Sequence, residues 1–463
     1  MEILNQKKLL KGIEISGEIP QSSVLMKETL MMAWPAVLES FLVSVTNFVD
    51  SYMVSSMGST AIAAVGLTTQ PKFLMLCFFL ATNVAVSSIV ARRRGEGNRE
   101  SGVRILRTAL LFTITLTIVL SFVFVLADDF IIHLAGSADD THQLAVEYFD
   151  VIIIGMIFNT VMLCINAAQR GAGNTKIAMT TNMTSNIVNV IFNYLLIGGH
   201  FGFPALGVRG AAIATVIGTM FGCSISIVSV FNKRSFVYFR GVKGWIADRF
   251  SIHSMIDVGS SSFVEQVFLR IGFFLFSLTV AKLGTIEFAS HQIGMNFMSL
   301  SFSFADGLQV ASVALVGRSL GQKRQDLARL YASACQRLGV VCAFMVSTTF
   351  LFFGRSLFGM FTDDPVMLDY GVMMLRILCV IIYMQIEQVV ILGSLRGAGD
   401  TKYTAMVSLI CVTIIRPGAS WLLCYPLGLG LMGVWLGTFA DQIARFTLGW
   451  IRFKKGSWLK LKL

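Results

Sequence analysis

Arg170-Gly171-Ala172-Gly173-Asn174-Thr175-Lys176 returns 226 residues later as Arg396-Gly397-Ala398-Gly399-Asp400-Thr401-Lys402. The same offset carries Val84-Ala85, Val90, Arg92 and Gly95 onto Val310-Ala311, Val316, Arg318 and Gly321. It also carries Met57-Gly58-Ser59-Thr60 onto Leu283-Gly284-Thr285-Ile286. A constant offset over so long a stretch is internal duplication. Long apolar segments separate the landmarks, so the duplicated unit reads as a bundle of membrane helices, an organisation typical of secondary transporters. Glycines ahead of a helix N-terminus could cradle an anion, but no lysine stands at the P-loop spacing. The motif reads instead as a turn, with Gly171 and Gly173 at the tight end of one helix and Asn174 and Asp400 as N-caps of the next.

Composition places the duplicated unit in a bilayer. The 463 residues are 55% hydrophobic and only 14% charged, with a mean hydropathy of +0.73, more apolar surface than a soluble core of this length can hide. A net charge of +11 would suit nucleic acid, but the basic residues fall where a membrane protein puts them. Twelve apolar stretches long enough to span are expected at 27–56, 60–91, 103–126, 146–170, 176–198, 207–231, 252–282, 286–317, 327–352, 369–396, 402–424 and 429–451. Arg92 to Arg94, Arg99 and Arg104, then Lys233 to Arg249, then Arg318 to Arg329, then Arg452 to Lys462 all sit at even-numbered junctions. Asp128, Asp129, Asp139, Asp140, Asp363 and Asp364 mark odd-numbered loops. The positive-inside rule then puts both termini in the cytoplasm. The expected fold is all-α and polytopic: two parallel six-helix repeats about a pseudo-twofold axis along the membrane normal. The expected divisions are a tail at 1–26, an N-lobe at 27–231, a linker at 232–251, a C-lobe at 252–451 and a basic tail at 452–463. The tail lacks the apolar core of a signal peptide. Eight cysteines show no CxxC spacing and read as small buried hydrophobes.

Few acids interrupt the spans, and an ionisable residue there is a functional candidate. Glu39, Asp50, Glu265 and Glu387 stand out. Glu39 and Asp50 are eleven residues apart, three turns along one face and roughly 16 Å, and Glu39 maps onto Glu265 at the repeat offset. A carboxylate out of water can hold a proton or exchange it for a cation, the switch that an antiporter needs. The alternative is that these acids pair structurally, with Arg270 or Lys72. Tyr383 stands one turn before Glu387 and can add an oxygen to a sodium site. Asn189 and Asn193, one turn apart in span five, can hydrogen-bond a neighbouring carboxylate such as Asp50. His291 reads as a packing residue. No paired nucleophile and base and no HExxH motif supports an intramembrane enzyme, so no enzymatic activity is expected.

In sequence the chain resembles the multidrug and toxic compound extrusion (MATE) transporters over nearly its whole length. The resemblance is carried by Phe48-Val49-Asp50 with Gly58, by Gln169 through Thr175, and by Leu206-Gly207-Val208-Arg209-Gly210-Ala211-Ala212-Ile213-Ala214-Thr215. Ser290-His291-Gln292-Ile293 and Ala314-Leu315-Val316-Gly317 with Leu320-Gly321 complete the set. It implies a twelve-helix exporter, driven by inward movement of sodium or protons and expelling cationic amphipathic compounds by alternating access. Glu265 in span seven and Tyr383 with Glu387 in span ten match the cation site of the branch with acids in both lobes. That resemblance implies that these three hold the coupling ion, Na+ or H+. Glu387 stands where Asp is frequent, and Asn193 where the other branch has Asp. The expected partners are small organic cations and the lipid bilayer of a bacterial cytoplasmic membrane, with no further cofactor, no nucleic acid and a monomeric protein. A lipid-linked sugar flippase of the same superfamily is the alternative; its pyrophosphate would call for several basic residues inside the spans.

Overall fold

The structure is a computed structural model that describes residues 6–55, 57, 59–137, 139–242, 244–246, 249–362 and 364–461. Gly58, Lys243, Asp363 and Lys462 lie outside the described residues, as do the side chains of Phe48, Ser59, Asp139, Asp140 and Thr285. Among the described residues the chain forms twelve long helices. They are α1 (Ser22–Ser55), α2 (Ser59–Gly95), α3 (Arg99–Leu126), α4 (Asp139–Gly171), α5 (Thr175–Gly198), α6 (Gly207–Val230), α7 (Arg249–Ala281), α8 (Thr285–Gly321), α9 (Gln325–Phe358), α10 (Pro365–Ala398), α11 (Thr401–Cys424) and α12 (Gly430–Lys455). Each matches an expected span and most outrun it by a few residues. Ten are long and apolar enough to cross a membrane. The other two, α5 and α12, are diluted by the polar residues that form the sites described below. The apolar reading missed the seven-residue helix Asp128–Leu134 and a break inside α11, where Leu409–Ile415 widens into a π-helix. Arg416-Pro417 follows. Pro417 lacks the N–H that the helix would use and crowds the preceding turn, and the wider turn absorbs that crowding.

Two compact units divide the chain: Leu38–Gly259, and Met1–Val37 with Ser260–Leu463. By contact, then, the first half of α1 and the N-terminal tail group with the second repeat. Within the first unit α2 packs on α3 and α4, α4 on α6, and α5 along α6. In the second, α8 packs on α9 and α10, α10 on α12, and α11 along α12. The two packing schemes are the same scheme, as the offset requires. The first helix of each repeat meets a neighbour closely at one place: a Cβ on Gly307 of α8 would lie 2.4 Å from the Val37 backbone nitrogen of α1, and one on Gly272 of α7 2.4 Å from the Val412 carbonyl oxygen of α11.

The repeated motif divides its glycines between two tasks. Gly173 (φ 72°) and Gly399 (φ 89°) take the left-handed turn. A Cβ on Gly171 would lie 2.3 Å from the Ser87 carbonyl oxygen, and one on Gly397 2.6 Å from that of Val313, so these two permit a close helix crossing instead. Asn174 and Asp400 do occupy N-cap positions, but neither side chain caps. Asn174 donates to Gln169 at 3.4 Å, and Asp400 accepts from Arg452 at 2.7 Å. That pair holds the Arg452 guanidinium above its ordinary range.

The linker is held down. Arg107 donates to the carbonyls of Phe239, Val242 and Gly244 at 2.5, 3.1 and 2.6 Å and lies over the rings of Phe239 and Trp245. Arg99 donates to Tyr238 O and Arg93 to Ser251 Oγ. These contacts place the linker in the first unit.

Candidate functional site

Glu39 and Asp50 both lie on α1, as their spacing requires. Asn193 donates to Asp50 Oδ1 at 2.8 Å and to Asn189 Oδ1 at 3.4 Å, and Asn189 donates to Thr215 Oγ1 at 3.1 Å. The chain of contacts ties α1 to α5 and α5 to α6. Lys72 of α2 and Tyr148 of α4 come near enough to feel the Asp50 charge. Asp50 is half-buried, whereas Asn189 and Asn193 are buried. A carboxylate so placed is reachable and has an adaptable set of donors beside it.

Glu39 is buried and belongs to a second network. Arg170 Nη2 donates to its Oε1 at 2.9 Å and Asn182 Nδ2 to the same oxygen at 2.5 Å. In the other repeat, Arg396 Nη2 donates to Glu265 Oε1 at 2.5 Å and Ser408 Oγ to the same oxygen at 2.7 Å. Thr404 Oγ1 approaches Oε2 at 3.5 Å. The ion partner of Glu265 is therefore Arg396 and not Arg270, and that of Glu39 is Arg170. The signal was present in the chain. Both arginines stand 131 residues after their carboxylate and both further donors 143 after it, a coincidence that duplication of a contact demands. It was passed over because the arginines open a glycine motif that reads as a turn.

Glu387 is half-buried on α10, nine residues before Arg396, roughly 13 Å along the axis. Its Oε1 is buried with no hydrogen-bond donor among the described residues. A Cβ on Gly339 would lie 3.1 Å from that oxygen, and Cys335 is close enough to feel the carboxylate. Tyr383 lies one turn earlier, half-buried against the apolar core of the second unit. Glu265 is met by Arg396, Ser408 and Thr404, whereas no donor reaches Glu387 Oε1 among the described residues. Among the described residues no group of three or more His, Cys, Asp or Glu could hold a metal ion.

A third cluster escaped the sequence reading. Arg416 donates to Asp441 Oδ2 through Nε at 3.0 Å and Nη2 at 2.6 Å, and Arg445 donates to the same oxygen at 2.6 Å. Arg416 and Asp441 are both 0% exposed. The Arg416 guanidinium lies over Phe273 and Phe276. His291 sits edge-on between Phe276 and Trp435, in a packing position. At the repeat offset Asp441 answers to Thr215, and Phe276 to Asp50. Corresponding places thus carry one negative charge in the first unit and a net positive cluster in the second.

The family model described as MatE matches this chain twice, at residues 35–195 and 262–422. A probable multidrug resistance protein NorM of Thermotoga maritima is 27% identical over 458 residues, covering 98% of this chain and 96% of that protein. An uncharacterized transporter YisQ of Bacillus subtilis is 24% identical, covering 93% and 94%. Among solved structures, one described as the outward-facing conformation of a multidrug resistance MATE family transporter superposes with a TM-score of 0.87 at 19% identity, covering 99% of each chain. A Pyrococcus furiosus transporter of the MOP superfamily, described as having a binding pocket of reverse polarity, gives the same score, identity and coverage. At such identities the structures speak for the fold alone.

Proposed function

The chain belongs to the MATE family of multi-pass membrane transporters, and from that membership we propose that it exports small organic cations in exchange for an inward-moving sodium ion or proton. One observation carries the coupling. Glu387 Oε1 is buried among α9 and α10 side chains without a donor among the described residues, and a carboxylate so placed favours binding a proton or a cation. Tyr383 supplies a further oxygen, and Glu265 is the second carboxylate of the same lobe. In the other lobe, half-buried Asp50 with Asn193 and Asn189 offers an organic ammonium group a counter-charge. Glu39 completes the set. The protein works as a monomer in a cell membrane with both termini cytoplasmic, and no cofactor besides the coupling ion takes part.

The flippase reading needs basic side chains to hold pyrophosphate. Arg170, Arg396, Arg416 and Arg445 each hold a carboxylate of this chain, which favours the exporter. A tenfold cation gradient supplies about 1.4 kcal/mol and 100 mV about 2.3 kcal/mol per charge, enough to drive a useful drug gradient if coupling is tight. Proteoliposomes loaded with a fluorescent organic cation, with sodium and pH gradients imposed separately, test the reading. One gradient should accelerate efflux, and Glu387→Gln should remove that acceleration. Efflux indifferent to both gradients would overturn it.

A further inference from the structure

Each repeat clasps its own first helix by an ion pair, and the two clasps are copies. Arg170 and Arg396 close the fourth helix of their repeats, Glu39 and Glu265 stand on the first, and Asn182 and Ser408 on the fifth. Chance does not reproduce three partners at one offset, so the contact predates the duplication or has been held in both copies. The helices so clasped, α1 and α7, also meet a neighbour's backbone, α1 at Val37 against Gly307 and α7 at Gly272 against Val412.

The clasp is incomplete in the same way twice. A guanidinium can grip both oxygens of a carboxylate through parallel N–H bonds. Here each arginine donates through Nη2 to Oε1, and among the described residues Nε of both Arg170 and Arg396 is buried with no acceptor. A buried donor without a partner makes the pair weaker than its charges allow. Such a pair is poised to open, provided that something else neutralises the carboxylate.

We propose that Arg170 and Arg396 are tethered cations, each filling its lobe's carboxylate in place of a diffusible one, and that the coupling cation loads the C-lobe by displacing Arg396 from Glu265. Arg396 is then a positioning residue that competes with the ion it helps to admit, and Arg170 does the same at Glu39 in the N-lobe. The exchange keeps the buried carboxylate neutralised throughout: guanidinium in the empty state, sodium ion or proton in the loaded one. Release of the arginine frees α7 from α10, which links loading to helix movement. This rests on the cation-driven reading above.

The test is the cation dependence of drug efflux in proteoliposomes for the wild type, Arg396→Gln, Arg396→Lys and Ser408→Ala. Removing an internal competitor should lower the half-saturating cation activity of Arg396→Gln about tenfold, within the range of ordinary site coupling. If the ion is a proton, that is about one unit of pH upward. Arg396→Lys, a point charge without the fork, should move the same way by a smaller factor, and it carries the test if Arg396→Gln is not recovered folded. Ser408→Ala removes a donor to the same oxygen but leaves the charge of Arg396 in place to compete, so any shift in cation dependence should be smaller than that of Arg396→Gln. Wild-type cation dependence in a folded Arg396 variant overturns the tethered-cation proposal while leaving cation-driven export standing. A wild type indifferent to both gradients overturns both.

Discussion

At the scale of single residues, the acids decide what can be switched. Asn193 donates one amide hydrogen to Asp50 Oδ1, and an asparagine at position 50 keeps an acceptor for it while losing the exchangeable proton and the charge. Asp50→Asn should therefore insert and purify like wild type yet lose efflux of organic cations; normal efflux from the well-expressed variant would move the drug-facing charge elsewhere. Asp441 is a different case, because two buried guanidinium groups converge on one oxygen. Asp441→Asn leaves them without a counter-charge and should cost about 3–5 kcal/mol, read as a fall of several degrees in the thermal midpoint in detergent. An unchanged midpoint would mean that another group carries the charge. The acids themselves were legible, since a carboxylate inside an apolar run stands out. Their partners were not: Arg396 meets Glu265 from 131 residues away, and no local pattern announces a contact between helices.

Among the elements, the crossing of α2 with α4 and that of α8 with α10 depend on having no side chain at two places. A methyl group at Gly171 would lie 2.3 Å from a backbone oxygen and one at Gly397 2.6 Å, and backbone cannot step aside as a side-chain tip can. Gly171→Ala and Gly397→Ala should each destabilise by roughly 1–3 kcal/mol. Gly418→Ala, where nothing lies within 4 Å of the new carbon, should be neutral or stabilise by up to about 1 kcal/mol through better helix propensity. Thermal unfolding of the three purified variants separates these cases; equal midpoints would show that the crossings relax freely. Helix number and place were readable because twenty apolar residues have few uses outside a bilayer. The π turn at Leu409–Ile415 was not, because its cause, Pro417, is compatible with an ordinary helix start as well.

For the whole molecule, the arginines at even-numbered junctions do more than report topology. Arg93 and Arg99, with Arg107 from inside the third span, hold the linker, which periodicity and composition presented only as a basic stretch. Arg240 is exposed there, and seven of the eight cysteines are buried, so a cysteine introduced at 240 can be read over a low background. Labelling by an impermeant maleimide should occur only after cells are opened; labelling of intact cells would invert the orientation. The division of the chain at 37/38 could not be foreseen from the repeat, because duplication predicts that α1 stays with its own six helices. Tyr331 donates to Glu28, and Arg324 to the carbonyl of Glu18, 303 and 306 residues apart in the chain. During synthesis at about 5–20 residues per second, residues 6–37 wait roughly 15–60 s after leaving the ribosome for these partners. A chaperone or insertase acting on the nascent chain has that interval in which to find residues 6–37 still unclaimed.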